Sequence, residues 1–402
     1  MEFSQPKQLT SDNAMHFFGY YGIPPWSANG RYFVCLETTF HDHMPLLGEK
    51  AKILLLDLEN HDSRVLYETH AWNFQQGTML HWFPLDPNRK IIFNDLDFSK
   101  VDSDNNPKPI AKILDIETGE IKQLPRAINA LSKSGQYALC LNFGRLRRNR
   151  DVISYPTTYN ETHGSHPQND GIWLINISTG ESKLIVNFNE IWNNHPETRS
   201  ISEQIGEDGT DADFPEMWID HVGFNPSENR IFYLARYAPL LGLMTTSMWT
   251  CNIDGNDPYL LVDYDQALSH FEWLSDTELV VTMKYLKQSN HSHVVLKDKG
   301  GVLYVIAPDG LTKDGHPTLS PDGLKLASDC YPVQNRRYIY VVDMKIKPET
   351  VYEVGSFENI PLKSNSLRCD PHPRWSRDSC QLCYDGFNIH GKRQVFQIDI
   401  KK

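Results

Sequence analysis

A short strand-turn-strand unit recurs seven times along the chain, and this repeat limits the possible folds more than any other feature. In the clearest copy, Ser320-Pro-Asp-Gly, proline presets one turn dihedral and glycine accepts the positive φ that follows. Consecutive copies lie 45 to 59 residues apart, except for one gap of 93. A period near the ~40 to 50 residues of one blade predicts an all-β fold, a seven-bladed β-propeller with four-stranded antiparallel blades around a central channel. The residue before each turn is Ser27, Asp86, Ser132, Asn225, Ser275, Ser320 or Ser376.

A ring of blades uses the whole chain, so we expect residues 1–402 to form a single domain. Residues 6–12 are expected to supply an outer strand to the last blade, because closure removes exposed sheet edges. The long third period predicts inserted loops at about 144–170 and 188–217, with a short helix at Phe188–Trp192.

Composition narrows the range of partners and compartments. The net charge of −12 argues against nucleic acid and anionic membranes, which require a basic surface. No apolar stretch approaches the ~18 residues of a membrane span. Seven cysteines without a small-domain disulfide pattern fit a reducing compartment. We therefore expect a cytoplasmic protein, or a periplasmic one if a signal peptide has been trimmed, and composition leaves open whether it is a monomer or a homo-oligomer.

Histidines recur at the start of the strand that precedes the turn. His221, His316 and His372 lie four residues before their turn residue, and His270 and His81 lie five before theirs. Because first strands line the channel of a propeller, these imidazoles are expected to converge. Such a ring can bind a metal, shuttle protons or only form hydrogen bonds.

The last two histidines belong to consecutive blades and have a carboxylate beside them. His316, His372 and Asp370 are donors suited to Mn²⁺, Zn²⁺ or a similar divalent ion, with Asp314 as a weaker fourth candidate. Cys380 and Cys383 do not form an equivalent site, because strand residues three apart face opposite sides.

Three segments carry a resemblance to a known family. Asp314-Gly-His-Pro-Thr-Leu-Ser-Pro-Asp-Gly323, Asp329-Cys-Tyr-Pro332 and Arg368-Cys-Asp-Pro-His-Pro-Arg-Trp-Ser-Arg-Asp378 resemble the final blades of the oligogalacturonate lyases, and Ser-Pro-Asp-Gly also occurs in TolB-like propellers. The resemblance implies a seven-bladed propeller that cleaves pectic uronides by β-elimination with a divalent metal, Mn²⁺ before Zn²⁺ or Ca²⁺. It places His316 and His372 at metal-ligand positions and His270 at the catalytic base.

The sequence departs from that family at several positions. Asp370 stands where the family has a further histidine, and Leu367 or Arg368 stands where it has a glutamine. The family's substrate-binding arginine is missing near Ser247-Met-Trp249. These departures favour a relative with a different uronate specificity.

The resulting hypothesis is a lyase whose partner is an acidic oligosaccharide. His270 removes the proton at C5, and Arg368 and Arg145 bind the carboxylates, since guanidinium groups bind them with two hydrogen bonds. His221, His81 and Tyr155 are further candidates for contact with the substrate. The alternatives are a non-catalytic propeller that binds a protein or a carbohydrate, and a propeller that controls access to a hydrolase, although no Gly-x-Ser-x-Gly motif occurs in the chain.

Overall fold

The computed structural model describes residues 1–206, 210–238 and 244–401, and it shows seven antiparallel sheets. The seven-bladed propeller is confirmed. The chain begins with two short strands, β1 (Glu2–Phe3) and β2 (Lys7–Gln8), which belong to the last blade. Blade one contains β3 (Met15–Phe17), β4 (Tyr32–Thr38), β5 (Ala51–Asp57) and β6 (Asp62–Thr69). Blade two contains β7 (His81–Trp82), β8 (Lys90–Val101), β9 (Pro107–Asp115) and β10 (Ile121–Leu124).

The remaining blades repeat the same order. Blade three contains β11 (Ile128–Leu131), β12 (Tyr137–Cys140), β13 (Gly171–Asn176) and β14 (Ser182–Asn187). Blade four contains β15 (Met217–Phe224), β16 (Arg230–Tyr237), β17 (Thr245–Asn252) and β18 (Tyr259–Val262). Blade five contains β19 (Phe271–Trp273), β20 (Glu278–Met283), β21 (Ser292–Lys297) and β22 (Val302–Ile306). Blade six contains β23 (Thr318–Leu319), β24 (Lys325–Asp329), β25 (Arg336–Asp343) and β26 (Thr350–Glu358).

Both ends of the chain build blade seven. Its strands β27 (Arg374–Trp375), β28 (Gln381–Phe387) and β29 (Arg393–Lys401) are completed by β1 and β2, which both pair with β29. Lys7 lies opposite Gln397 and Glu2 lies opposite Lys401. The outer strand expected within residues 6–12 is therefore present, and it closes the ring.

The two expected inserts carry the α-helices of the described residues. The helix α1 (Phe143–Asn149) begins in the first insert, and α2 (Phe188–Asn194) and α3 (Pro196–Ile205) lie in the second. Residues 207–209 of the second insert lie outside the described residues. None of the helices in the described part of the chain is long and apolar enough to cross a membrane. Short 3₁₀ turns occupy Asp151–Ile153, Asp211–Asp213, Tyr264–Gln266, Tyr285–Lys287 and Asn365–Leu367.

A buried ion cluster fixes the loop that enters the channel. Asp385, on β28, contacts Arg374 at 3.0 Å and Arg393 at 3.2 Å, and its carboxylate also accepts from the backbone N–H groups of Phe18 and Gly19. Arg374 donates in turn to the carbonyls of Gly19 and Tyr20. Because each buried charge has a partner, this cluster holds the loop in one position.

Candidate metal and catalytic site at one end of the channel

Four histidines lie at one level of the channel. In blade five, Glu272 pairs with Val280, two residues after His270. The equivalent pairs in the other blades come from Gly223, Thr318 and Arg374, again two residues after a histidine. Side chains at this position therefore face the axis at the same height. We call these residues the four-histidine set: His221, His270, His316 and His372.

His81 does not belong to the four-histidine set, which corrects the prediction of five converging imidazoles. His81 itself pairs with Ile92, and its neighbour Trp82 pairs with Ile91, so His81 corresponds to Glu272 and not to His270. More residues separate Trp82 from its turn residue, Asp86, than separate Trp273 from Ser275. Counting back from the turn residue therefore assigned His81 to the wrong level of the channel. At this lower level, burial lowers the pKa of His81 to about 4.

His316 and His372 face each other through their Nε2 atoms, which are 3.1 Å apart. The Nδ1 of His316 donates to Asp329 at 2.8 Å, so its Nε2 keeps a lone pair. Asp329 also accepts from the backbone N–H of His372. One buried carboxylate thus orients the imidazole of His316 and fixes the backbone of His372 in the next blade, and the first contact is of the kind that outer-shell carboxylates make to metal ligands.

His270 lies against the same pair and has its own carboxylate. Its ring centroid is 3.8 Å from that of His316, and its Nδ1 donates to Asp314 at 3.0 Å. Thr282 donates to the same oxygen of Asp314. Burial lowers the pKa of His270, His316 lowers it further, and Asp314 opposes the decrease. His270 is therefore a neutral imidazole whose Nε2 accepts protons.

Asp370 lies within reach of the histidine pair, and its carboxylate is also bound by arginines. One ligand atom each from His316, Asp370 and His372 lies within 4.8 Å of the others. Arg368 donates to Asp370 at 2.8 Å, and Arg337 lies 2.7 Å from its other oxygen. Burial raises the pKa of Asp370, but the two arginines prevail and bring it to about 2.

This donor set fits a divalent cation. Two imidazole nitrogens 3.1 Å apart match neighbouring ligands on one ion, for which bonds of about 2.1 Å are typical. Burial lowers the pKa of His372 well below its usual value, so its ring is neutral as a ligand must be. Its buried Nδ1 has no hydrogen-bond partner among the described residues. Asp370 contributes negative charge to the site. To bind the cation as well, its carboxylate would have to keep Arg337 and Arg368 as partners at the same time.

Two tyrosines form a partition across the channel below the histidines. Tyr20 donates to the Nδ1 of His221 at 2.9 Å, and Tyr21 donates to the carbonyl of Phe271 at 2.9 Å. The ring of Tyr21 lies 5.1 Å from that of His316 and 5.9 Å from that of His372. Our reading of the sequence missed this pair, although the surrounding Gly19 and Gly22 were a signal for a tightly folded loop.

A cavity of about 560 Å³ lies on the other side of this partition. We call it the distal cavity. Its described wall includes Tyr20, Tyr21, His81 and Glu272, and it includes no member of the four-histidine set. The candidate site and the distal cavity therefore occupy opposite ends of the channel, and His81 lies at the distal cavity, away from the four-histidine set.

Arg145 and Tyr155 do not reach the four-histidine set, which corrects two further predictions. Arg145 is 1% exposed, and its guanidinium pairs with Asp170 at 3.0 Å and Glu216 at 2.9 Å. Tyr155 is fully buried, accepts from Asn94 and stacks on Phe143. The first insert, which contains Arg145 and Tyr155, packs between blades three and four, so neither side chain is available to a substrate.

Arg236, which the sequence reasoning missed, is buried beside the site. It lies opposite Thr246 on the neighbouring strand. Thr246 precedes Ser247, near which the resemblance predicted a substrate-binding arginine. Its Nη1 pairs with Asp220 at 2.7 Å, and its buried Nε has no hydrogen-bond partner among the described residues. Arg150 approaches the same carboxylate at 3.8 Å, so two guanidinium groups share one aspartate. This leaves positive charge next to His221.

Solved structures with similar folds were found, whereas neither the protein-family models nor the curated proteins gave a match. An oligogalacturonate lyase from Vibrio parahaemolyticus matches with a TM-score of 0.65 and 12% identity, over 100% of this chain and 97% of that one. An oligogalacturonate lyase in complex with manganese matches with a TM-score of 0.66 and 15% identity, over 100% and 96%. The β-propeller domain of the Trilobed protease from Pyrococcus furiosus matches with a TM-score of 0.53 and 11% identity, over 95% of each chain. At sequence identities of 11% to 15%, this similarity shows a shared fold and does not show a shared activity.

Proposed function

We propose that this protein is a metal-dependent lyase that cleaves a 4-linked uronate in acidic oligosaccharides by β-elimination. The observation that carries the proposal is the contact between three imidazoles of consecutive blades, with His316 and His372 at 3.1 Å and His270 against His316. Full-length similarity to the folds of two oligogalacturonate lyases supports it. Mn²⁺ is the ion we propose first, ahead of Zn²⁺ or Ca²⁺.

His316 and His372 would hold the ion, with Asp370 as a further ligand. A divalent cation bound there supplies positive charge that stabilises the enolate-like transition state formed when the C5 proton leaves. Asp329 orients the imidazole of His316 and holds the backbone of His372, so both residues are in place before any substrate arrives.

His270 is the residue that would take the C5 proton. The hydrogen bond from its Nδ1 to Asp314 selects the tautomer in which Nε2 is the free acceptor. Asp314 then stabilises the imidazolium that forms. The leaving O4 oxygen receives its proton from solvent or from the imidazolium.

Arg368 is the cation we propose for a substrate carboxylate. Its Nε is taken by Asp370, and its guanidinium lies 5.9 Å from the ring centroid of Tyr331. Its Nη1 makes a long contact of 3.4 Å with the carbonyl of Asn365, and a substrate carboxylate would replace this contact. Arg236 also lies near His221, but it is buried and paired with Asp220, so we do not propose it as a contact of the substrate.

The test is a combined metal and activity measurement on the purified protein. We expect roughly one divalent ion per chain after reconstitution with Mn²⁺. We also expect an ultraviolet absorbance increase from a new conjugated double bond with at least one of oligogalacturonides, ulvan-like or rhamnosyl-glucuronate oligosaccharides. Chelation should abolish that increase. Stoichiometric metal without turnover on any of these substrates would contradict the lyase proposal.

A non-catalytic propeller that binds a carbohydrate or protein is the second candidate. Burial of the histidines favours it, because His316 is 4% and His372 is 3% exposed. In this case the imidazoles only line a polar channel. Equal affinity for an acidic oligosaccharide before and after metal removal, without any cleavage, would support the binder over the lyase.

A further inference from the structure

The distal cavity contains an acidic side chain that no part of the proposed lyase site uses. Glu272 lies on β19 and faces the cavity beside the backbone of Gly22. A Cβ atom added at Gly22 would lie 3.2 Å from the Oε2 of Glu272, so the carboxyl group lies close to the backbone of this glycine. Within residues 1–206, 210–238 and 244–401, no hydrogen bond or ion pair to this carboxyl group is formed. A sheltered carboxyl group without a hydrogen-bond partner is costly, and a ligand that pairs with it would remove this cost.

Aromatic residues form one part of the cavity wall near Glu272. Phe271 and Trp273 flank it in sequence, and the tyrosine partition forms the floor of the cavity. Phe232 lies 4.4 Å from Phe271, between ring centroids, and extends the aromatic wall. The faces of such rings carry negative potential and attract cations.

The remaining titratable and charged groups of the cavity wall do not neutralise Glu272. They are Tyr20, Tyr21, His81, Lys133 and Arg377. Lys133 and Arg377 are exposed residues, and neither forms an ion pair with Glu272. Burial raises the pKa of Glu272 to about 8, so the group is mainly protonated at neutral pH. A cation bound beside it would restore its charge.

We propose that the distal cavity is a binding site for a small organic ammonium ion with an apolar body, which pairs with Glu272 and packs against the aromatic wall. The volume of about 560 Å³ accommodates a ligand of this size. The site is separated from the four-histidine set by Tyr20 and Tyr21, so the proposal does not depend on lyase activity.

The experiment is calorimetric binding of 2-phenylethylamine and of its neutral analogue 2-phenylethanol to the full chain at pH 7, in two buffers of different ionisation enthalpy. The amine should bind more tightly than the alcohol and should release nearly one proton, because its ammonium group ionises Glu272. Glu272→Gln should weaken amine binding by about tenfold or more and abolish proton release, since it removes a charge-assisted hydrogen bond.

Glu278→Gln provides the matched control, because it makes the same change on the neighbouring strand β20 outside the cavity wall. It should leave both ligands unaffected. Glu272→Gln should fold normally, since it removes an unpaired carboxyl group, and thermal unfolding checks this. The proposal is overturned if the amine does not bind at millimolar concentration, if the alcohol binds equally well, or if Glu272→Gln binds the amine unchanged.

Discussion

At the scale of single residues, His270 separates a catalytic role from a structural one. In His270→Ala, we expect turnover to fall by about 10²- to 10⁴-fold, the usual contribution of a positioned base. Metal content and unfolding midpoint should change little, because His270 orients neither His316 nor His372. The measurements are double-bond absorbance, metal analysis and thermal unfolding. The exposed His390 offers a matched control as His390→Ala. If His270→Ala lost stability and kept its activity, the histidine would be structural.

Asp329 is the residue on which the histidine pair depends. Asp329→Asn keeps the size of the side chain but weakens the acceptor for His316 Nδ1 and for the backbone of His372. We expect metal affinity to fall about 10- to 100-fold, as for other outer-shell carboxylates. Titration with Mn²⁺ and competition by a chelator measure this. Unchanged affinity would mean that the imidazoles are positioned by packing alone.

Sequence reasoning recovered the histidines but not the roles of the groups that orient them: Asp314 was considered only as a metal ligand, and Asp329 and Tyr20 were given no role. His316 and His372 repeat at a fixed distance from the turn, so the repeat revealed them. Asp329 comes from the next strand of blade six, and Tyr20 comes from the loop before the first repeat. Their relation to the site depends on side-chain contacts between elements, which spacing does not encode.

At the scale of elements, the glycine before His316 controls how the inner strand enters the channel. A Cβ at Gly315 would lie 1.9 Å from the backbone oxygen of Asp329, so Gly315→Ala must displace that strand. We expect a loss of more than about 2 kcal/mol of unfolding free energy, as for overpacked sites, together with loss of bound metal. Gly323→Ala is the control.

The control glycine has a different constraint. Gly323 has φ +72° and nothing within 4 Å of its added Cβ, so only the backbone conformation is strained. Gly323→Ala should cost about 1 kcal/mol and leave metal binding intact. Chemical denaturation and metal analysis of both variants provide the comparison. Equal behaviour of the two variants would show that the contact at Gly315 relaxes freely.

The N-terminal strands are the element that closes the ring. Ser4 N–H donates to Asp399 and Leu9 N–H donates to Val395, both at 2.9 Å, in addition to the paired residues of β1 and β2. Deletion of residues 1–10 should lower the free energy of unfolding by roughly 2 to 4 kcal/mol, at about 1 kcal/mol for each lost hydrogen bond. It should also promote association through the bared edge of β29. Denaturation and light scattering test both effects.

At the scale of the whole molecule, the repeat predicted the architecture because every blade must satisfy the same strand and turn pattern. The errors lie where blades differ. Blade two has a longer turn, so His81 lies one level below the position that the repeat predicted. The insert that contains Arg145 packs between blades and does not enter the channel. A repeat pattern describes what blades share, so these local departures require the structure.

Equivalent ion pairs in two blades predict how the free energy of unfolding changes at low pH. Arg31 pairs with Asp57 and Arg89 pairs with Asp115, each at 2.7 Å. Each arginine lowers the pKa of its aspartate. Their contribution to stability is present above the ordinary aspartate pKa of about 3.9 and is lost as pH falls through the lower folded values. Urea unfolding from pH 5 downward should show this loss, and Arg31→Gln with Arg89→Gln should reduce it.

The central claim is that imidazoles from successive blades form one cation site. Anomalous diffraction from crystals grown with Mn²⁺ tests it most directly. We expect a single strong peak within bonding distance of Nε2 of both His316 and His372, at about 2.2 Å as for other metal–imidazole bonds. The peak should disappear in His316→Ala. A manganese peak elsewhere, with Nε2 of His372 still hydrogen-bonded to His316, would contradict the claim.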